Sequence, residues 1–261
     1  MHGFRGVSRY RAIWISDTHL GTKGCKSEFL LDFLKHTECD DLYLVGDIVD
    51  GWRLKRSWYW PESHNDVVGA ILEKAKAGTN VVYVPGNHDE MLRRYTDIQL
   101  GGVDVKRECV HTTADGKRLL VTHGDDFDVI VKYAKWVALL GDWAYTVLLA
   151  VNNYFNDIRK ALGMPYWSLS AYLKDKVKNA VEYVSAFETA LAAKAMRRGM
   201  DGVVCGHIHR AEIRDINGVR YMNSGDWVES CTALAESGDG QFEILHWVEV
   251  SRERALVPAA A

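Results

Sequence analysis

Five short apolar runs recur along this chain, and each is followed within two residues by glycine, aspartate or histidine. Each run is three or four residues long and is rich in leucine and β-branched residues. Short runs bounded by turn residues predict buried β-strands. They are Ala12–Ile15, Leu42–Val45, Val81–Val84, Leu119–Val121 and Val203–Cys205. The chain is therefore constrained to fold around sheet strands whose ends carry polar side chains.

Helical patterns lie between the predicted strands. Apolar pairs recur at 29–30 and 33–34, and again at 67–68 and 71–72, which is the spacing of one face of a helix. Alternating strands and helices predict a layered α/β fold. After Val203 the pattern becomes strand-like, and Asn217-Gly218 predicts a hairpin turn between strands. The C-terminal half of the sheet is therefore predicted to be mixed or antiparallel.

The alternation stops between residues 127 and 198, where no strand signal occurs. This stretch is apolar around most of a helical circumference, so it must be buried or meet lipid. We predict a helical cap inserted between two parts of a core, residues 1–126 and 199–261. The insertion holds ten Lys and Arg against six Asp and Glu, in a chain whose net charge is −3. A local basic segment suits an anionic surface or substrate, whereas a nucleic-acid binder is more often basic overall.

Composition excludes several classes of protein. A hydrophobic content of 48% with 26% charged residues is typical of a folded soluble chain and excludes a disordered one. The five cysteines include no C-x-x-C pair and are expected to be reduced thiols. No signal peptide is visible, and the uncharged stretch between Asp142 and Asp157 is too short for a membrane span. A cytoplasmic location is therefore expected.

Five polar blocks follow the five apolar runs. They are Asp17-Thr18-His19, Gly46-Asp47-Ile48-Val49-Asp50, Gly86-Asn87-His88-Asp89, His123-Gly124 and Gly206-His207-Ile208-His209. Each block alone is typical of an ordinary turn, but the carboxyl ends of strands open onto a common crevice. Carboxylate, amide and imidazole donors without thiolates suit divalent manganese, iron or zinc. Seven such donors exceed the need of one ion, so we expect two ions bridged by Asp47.

These blocks resemble the calcineurin-like metallophosphoesterase superfamily, whose signature runs D-x-H, G-D-x-x-D, G-N-H-D, H and G-H-x-H in that order. The resemblance covers about residues 12 to 225 and implies a four-layer α/β/β/α sandwich. It implies that one ion is held by Asp17, His19, Asp47 and His209, and the other by Asp47, Asn87, His123 and His207. It also implies in-line attack of a metal-bound hydroxide on phosphorus, with no covalent enzyme intermediate.

His88 is not a ligand in this arrangement. Its position next to Asn87 predicts that it hydrogen-bonds a phosphate oxygen or protonates the leaving oxygen. Asp50 resembles the family carboxylate that orients this imidazole and raises its pKa. We therefore predict that His88 and Asp50 form the catalytic acid dyad.

The layout with a helical insertion is similar to that of the UDP-2,3-diacylglucosamine diphosphatases of lipid A biosynthesis. That resemblance implies hydrolysis of an amphiphilic nucleotide-sugar lipid to UMP and lipid X (2,3-diacylglucosamine 1-phosphate). It also implies a manganese enzyme bound peripherally at the inner membrane, with a cap over acyl chains. One position departs from this pattern, because the best-known members carry arginine where this chain has His88.

Candidate substrate-binding residues lie in two places, after the second polar block and in the insertion. They are Trp52, Arg53, Arg56, Asp128, Lys176 and Lys178. The aromatic and basic stretch 52–60 fits base stacking, diphosphate binding, a membrane interface or a partly buried loop. A phosphodiesterase or phosphatase for a soluble nucleotide or another phospholipid headgroup would share every metal ligand. A non-catalytic scaffold predicts eroded ligands, and none of the seven is eroded. The oligomeric state stays open.

Overall fold

A computed structural model describes residues 7–127 and 184–256 of the chain. Most of the predicted insertion, with Asp128, Lys176 and Lys178, lies outside these residues. The chain divides into two compact units, one formed by Met1–Asp125 with Leu191–Ala261 and the other by Asp126–Ala190. Within the described residues, no helix has the length and apolar character needed to cross a bilayer.

The described elements alternate as the sequence predicts. In chain order they are β1 (Ser8–Ile15), α1 (Ser27–His36), β2 (Thr37–Val45), α2 (Gly51–Arg56), α3 (Glu62–Lys76), β3 (Asn80–Val84), a 3-10 helix (Glu90–Tyr95), β4 (Ile98–Leu100), β5 (Val103–Val105), β6 (Cys109–Thr112), β7 (Arg118–Val121), a second 3-10 helix (Asp125–Phe127), α4 (184–197), β8 (Gly202–Cys205), β9 (Glu212–Ile216), β10 (Val219–Asn223), β11 (Thr232–Glu236), β12 (Phe242–His246) and α5 (Trp247–Leu256). All five predicted runs are strands, and both predicted helices are present. The expected α/β class is confirmed.

The strands form two sheets. The first has the order β12-β11-β1-β2-β3-β5-β4, and the second has the order β6-β7-β8-β10-β9. Strands β1, β2, β3 and β5 pair in parallel, as do β7, β8 and β10, whereas β4, β6, β9, β11 and β12 pair antiparallel. The predicted hairpin joins β9 and β10, and Asn217 and Gly218 both have positive φ, as a type I′ turn requires. The C-terminal strands are therefore mixed, as expected.

The two faces of the first sheet bury different partners because side chains alternate along a strand. Trp14 of β1 and Val45 of β2 pack in one apolar cluster with Val121, Val204 and Met222 of the second sheet. The neighbouring side chains of β1 and β2 face the opposite cluster, which contains α1 and α3. The layers are therefore helices, first sheet and second sheet. This stacking holds the carboxyl ends of the parallel strands in place.

Helix α1 buries a narrower face than its apolar pattern suggests. Leu30 is fully buried and packs in the cluster beneath the first sheet. Phe29, which precedes it, is 37% exposed. Two adjacent residues on a helix point about 100° apart, so the sheet covers only one of them.

We expect Leu30→Ala to lower the free energy of unfolding by about 2–5 kcal/mol, because it leaves a cavity in a closed core. Phe29→Ala is the matched control and is expected to cost less than about 1 kcal/mol, since most surface substitutions are mild. Urea unfolding followed by circular dichroism measures both. Equal losses for the two variants would contradict the observed helix orientation.

Candidate metal centre

The loops after the parallel strands are joined to one another by backbone hydrogen bonds. The Asp17 N–H donates to the Gly46 carbonyl over 3.0 Å, and the His19 N–H donates to the Asp47 carbonyl over 2.9 Å. The loop after β8 is joined to the loop after β7 in the same way. Polar blocks separated by up to about two hundred residues of sequence are therefore held together at one end of the two sheets.

Most of the candidate ligands sit in strained backbone. Of the eight described non-glycine residues with positive φ, five are candidate ligands. They are Asp17 (51°), His19 (50°), Asp47 (53°), His207 (72°) and His209 (53°). Such conformations cost free energy, and they persist where the surrounding structure enforces them, often at functional sites. The strain turns these side chains toward a common centre at the strand ends.

Two glycines let the backbone approach the centre closely. Gly46 has a φ of +78°, and an added Cβ would overlap the imidazole of His123. A Cβ on Gly86 would lie 2.7 Å from the backbone nitrogen of Asp47 and 2.7 Å from Cδ2 of His123. The glycines of the G-D and G-N-H-D blocks are therefore required by packing around His123 and Asp47.

One group of ligand atoms comes from Asp17, His19 and His209, all within 4.8 Å of one another. Asp17 Oδ1 lies 3.2 Å from His209 Nε2, while Asp17 Oδ2 accepts a hydrogen bond from the His207 backbone N–H over 2.9 Å. Burial alone would raise the pKa of Asp17, but the neighbouring histidines, His209 above all, together lower that pKa to about 2. Asp17 therefore presents one anionic oxygen to this group.

A second group comes from Asp47, His123 and His207, again within 4.8 Å. His123 Nδ1 lies 2.9 Å from the carbonyl oxygen of Val45, so this nitrogen donates and Nε2 is left as the lone-pair nitrogen when the ring is neutral. His123 Nε2 lies 3.5 Å from Asp47 Oδ2 and 3.3 Å from His207 Nδ1. The hydrogen bond to Val45 therefore orients the His123 ring with Nε2 toward Asp47 and His207.

Asp47 lies between the two groups. Its Oδ2 is 3.5 Å from His123 Nε2 and 4.0 Å from His19 Nε2, and its Oδ1 accepts from the His88 backbone N–H over 2.8 Å. Burial alone would raise the pKa of Asp47, but the neighbouring histidines, His123 above all, together hold that pKa well below its usual range. Burial likewise opposes protonation of His123, yet Asp47 raises the pKa of His123 to about 10. The Asp47 carboxylate therefore lies within 4.0 Å of a histidine from each group of donors.

The side-chain oxygen of Asn87 indicates that a cation fits this site. This oxygen is buried and accepts no hydrogen bond among the described residues. Leaving a buried acceptor unpaired costs about 1–3 kcal/mol, so an oxygen of this kind favours a ligand. Carboxylates, imidazoles and one amide oxygen together match the donor set of a divalent transition metal. The residues present therefore fit divalent metal ions.

His88 and Asp50 meet beside these groups. His88 Nδ1 lies 3.0 Å from Asp50 Oδ2, and His19 Nδ1 lies 3.2 Å from the same oxygen. Burial alone would raise the pKa of Asp50, but the neighbouring imidazoles of His19 and His88 hold that pKa well below its usual range. His88 Nε2 is 4.0 Å from Asp47 Oδ2, so the imidazole faces the centre. Possible ligand atoms of His19, Asp47 and His88 form a third group within 4.8 Å. Asp50 is thus shared by His19 and His88, which the sequence did not indicate.

Asp89 has a structural part in the site that sequence reasoning left unassigned. It is fully buried, and its carboxylate accepts from the backbone N–H groups of Ile48 (2.8 Å) and Gly86 (2.5 Å) and from the Tyr83 hydroxyl. It therefore joins the G-D block to the G-N-H-D block. The sequence does indicate that Asp89 needs hydrogen-bond donors, because a carboxylate close to a buried strand is costly to bury unpaired. It does not indicate that one of those donors is the backbone N–H of Ile48, which is remote in sequence.

The candidate substrate residues that the structure describes lie on α2. Trp52 places its ring centroid 4.4 Å from that of His88, and its indole N–H is 3.4 Å from Glu90 Oε1. Asp50 caps α2 by accepting from the Arg53 backbone N–H over 2.8 Å. The side chains of Arg53 and Arg56 are exposed. Trp52 is therefore the one of these three that touches the centre.

Comparison with known proteins agrees with this geometry. The model of the calcineurin-like phosphoesterase family matches residues 10–211. The chain belongs to that family and is a metal-dependent phosphoester hydrolase.

Among curated proteins, the chain is similar to two proteins that bear the name UDP-2,3-diacylglucosamine hydrolase. The protein from Xanthomonas oryzae pv. oryzae is 27% identical over 243 residues, which cover 87% of this chain and 96% of that protein. The protein from Shewanella baltica is 26% identical over 245 residues, covering 88% and 95%. Among solved structures, an archaeal phosphodiesterase is similar with a TM-score of 0.41 and 12% identity, covering 90% of this chain and 98% of that one.

We expect the affinity for a divalent metal to rise with pH. The raised pKa of His123, about 10, favours its protonated form at neutral pH, whereas a metal ligand must be the neutral imidazole. Protons therefore compete with the metal, and this competition weakens as the pH approaches about 10. Titration calorimetry of Mn²⁺ into metal-free protein at successive pH values measures the effect. His123→Asn should flatten the dependence, and an affinity independent of pH in the parent protein would rule the competition out.

Proposed function

We propose that this chain hydrolyses the diphosphate bond of UDP-2,3-diacylglucosamine, producing UMP and lipid X. The observation that carries the proposal is the position of Asp47 at one end of the sheets, where its carboxylate lies 3.5 Å from His123 of one group of donors and 4.0 Å from His19 of the other. The substrate is inferred from the two relatives named above, which this chain matches along most of its length. Residues 127–198 are proposed as the cap that covers the acyl chains.

The proposed ligands divide between the two ions. Asp17, His19, Asp47 and His209 would hold one ion, and Asp47, Asn87, His123 and His207 would hold the other, with manganese the expected metal. When bound, such a pair supplies charge neutralisation of the phosphoryl group and lowers the pKa of water. The chain's own part is to hold the donors in position: Val45 orients His123, and the His88 and His207 backbone N–H groups each occupy one oxygen of a ligating carboxylate.

His88 is proposed to hold a proton at Nε2 and to deliver it to the leaving oxygen. Asp50 lies 3.0 Å from His88 Nδ1 and therefore orients the ring with Nε2 toward the centre. The same carboxylate orients His19 through Nδ1. The indole ring of Trp52 packs against the imidazole ring of His88.

Substrate contacts outside the centre are proposed for two regions. Trp52, Arg53 and Arg56 on α2 are proposed to contact a nucleotide or diphosphate beside His88, since a guanidinium binds phosphate oxygens and an indole stacks on a base. Asp128, Lys176 and Lys178 are proposed contacts from the cap. A lipid-linked substrate also implies a cytoplasmic protein that associates with the inner membrane from its surface.

A second candidate is a phosphodiesterase that acts on a soluble nucleotide. The pairing of His88 with Asp50 favours it, because the resemblance to the lipid A diphosphatases implies arginine at position 88. This candidate uses the same centre and needs no cover for acyl chains.

Product identification tests the proposal. The protein in manganese buffer is given UDP-2,3-diacylglucosamine in detergent, and UDP-glucose and bis-p-nitrophenyl phosphate in parallel reactions. We expect UMP release from the lipid without UDP or free phosphate, and little turnover of UDP-glucose. Asp47→Asn is the inactive control. No UMP release from the lipid would reject the proposed substrate, and preferential cleavage of the soluble compounds would support the second candidate.

His88→Ala should lower turnover by about a hundredfold or more, which is the usual contribution of a positioned acid. Because His88 is not a proposed ligand, the metal content measured by plasma mass spectrometry should stay at the parental level. Asp47→Asn provides the contrast, with loss of both metal and activity. Parental turnover in the His88 variant would remove this residue from the reaction.

A further inference from the structure

The segment 51–60 has a composition unlike the rest of the chain. Its ten residues contain three cations, four aromatic rings and no carboxylate, in a chain with a net charge of −3. We call it the 51–60 surface. The cations are Arg53, Lys55 and Arg56, and the rings are Trp52, Trp58, Tyr59 and Trp60.

Much of this aromatic area is in contact with water. Trp58 is 75% exposed, Trp52 is 41% exposed and Tyr59 is 37% exposed. Trp60 is only partly exposed and donates its indole N–H to Asn65 Oδ1 over 2.8 Å, and its ring lies 6.3 Å from that of Trp58. The hydrogen bond to Asn65 thus fixes the Trp60 side chain, whereas the Trp58 side chain extends into water. A cluster of large exposed rings is uncommon on a monomeric protein and marks an interaction site.

The cations of this surface are not neutralised by the fold. Within residues 7–127 and 184–256, no ion pair involves Arg53, Lys55 or Arg56. Lys23 adds a further exposed cation, with Nζ 5.9 Å from the centroid of the Tyr59 ring. Positive charge and exposed rings therefore occupy the same place.

We propose that the 51–60 surface docks on an anionic lipid bilayer. Tryptophan and tyrosine prefer the interface between water and hydrocarbon, where the ring is apolar and its N–H or O–H stays hydrated. Each lysine or arginine near an anionic leaflet adds further attraction. A bilayer complements both properties of this surface, its unpaired cations and its exposed indoles.

Because the 51–60 surface adjoins the candidate metal centre, docking on a bilayer would also position that centre. The segment begins directly after Asp50, and Trp52 lies 4.4 Å from His88 between ring centroids. Docking would therefore bring the centre to the bilayer surface, where a lipid-linked diphosphate is located. This consequence rests on the proposed function, whereas the docking itself does not.

Vesicle binding without substrate tests the proposal. The full-length protein is sedimented with phosphatidylcholine vesicles, with and without phosphatidylglycerol, and the partition coefficient is measured. We expect strong partition only onto the anionic vesicles, and about a tenfold loss for the double variant Lys55→Glu/Trp58→Ala. The matched control is Leu100→Ala/Arg220→Glu, which changes one exposed apolar and one exposed basic residue elsewhere and should bind like the parent. Parental hydrolysis of bis-p-nitrophenyl phosphate in both variants shows that they are folded.

Three results would overturn the proposal. Equal partition of the Lys55/Trp58 variant and the parent would assign membrane binding to another part of the chain. Absence of binding to anionic vesicles would exclude a bilayer as the partner of the 51–60 surface. An equal loss of partition in the Leu100/Arg220 variant would show that binding depends on the net charge of the chain and not on the 51–60 surface. Because no substrate is present, each result is independent of whether UDP-2,3-diacylglucosamine is hydrolysed in detergent.

Discussion

Two carboxylates buried among imidazoles are the feature on which the rest of this structure depends. Asp17 and Asp47 are almost inaccessible to water, and a buried charge is costly unless an opposite charge compensates it. Here the histidines provide that compensation, and the same donors fit divalent cations. The surrounding loops are built to hold these groups together, with strained backbone at five of the seven donors and glycine where the backbone must approach.

The sheets make this arrangement rigid. Parallel strands in both sheets bring their carboxyl ends to one side, and the apolar cluster between the sheets fixes one set of ends against the other. Backbone hydrogen bonds between the loops and the carboxylate of Asp89 then set the positions of the donors. Preorganised donors of this kind pay little reorganisation free energy when charge develops on a phosphoryl group.

Several elements escaped prediction from the sequence for identifiable reasons. Strands β4, β5 and β6 are three or four residues long, and every residue of β4 is exposed, so these strands lack the apolar runs that identify buried strands. Phe29 shares the helical pattern of α1 but faces water, because the face that a helix buries depends on where the sheet lies. The double use of Asp50 by His19 and His88 needs two loops to meet, and no spacing in the sequence encodes that meeting.

The sequence by itself determined the alternation of strands and helices, the turn at Asn217-Gly218 and the identity of the polar residues at the strand ends. These are local properties, since periodicity, turn preference and donor chemistry act over a few residues. Tertiary structure alone decided that Asp50 lies within reach of both His19 and His88, that Asp89 joins two of the polar blocks, and that Trp52 packs against His88. Such contacts join residues far apart in the chain, and only the packing of whole layers sets their distances.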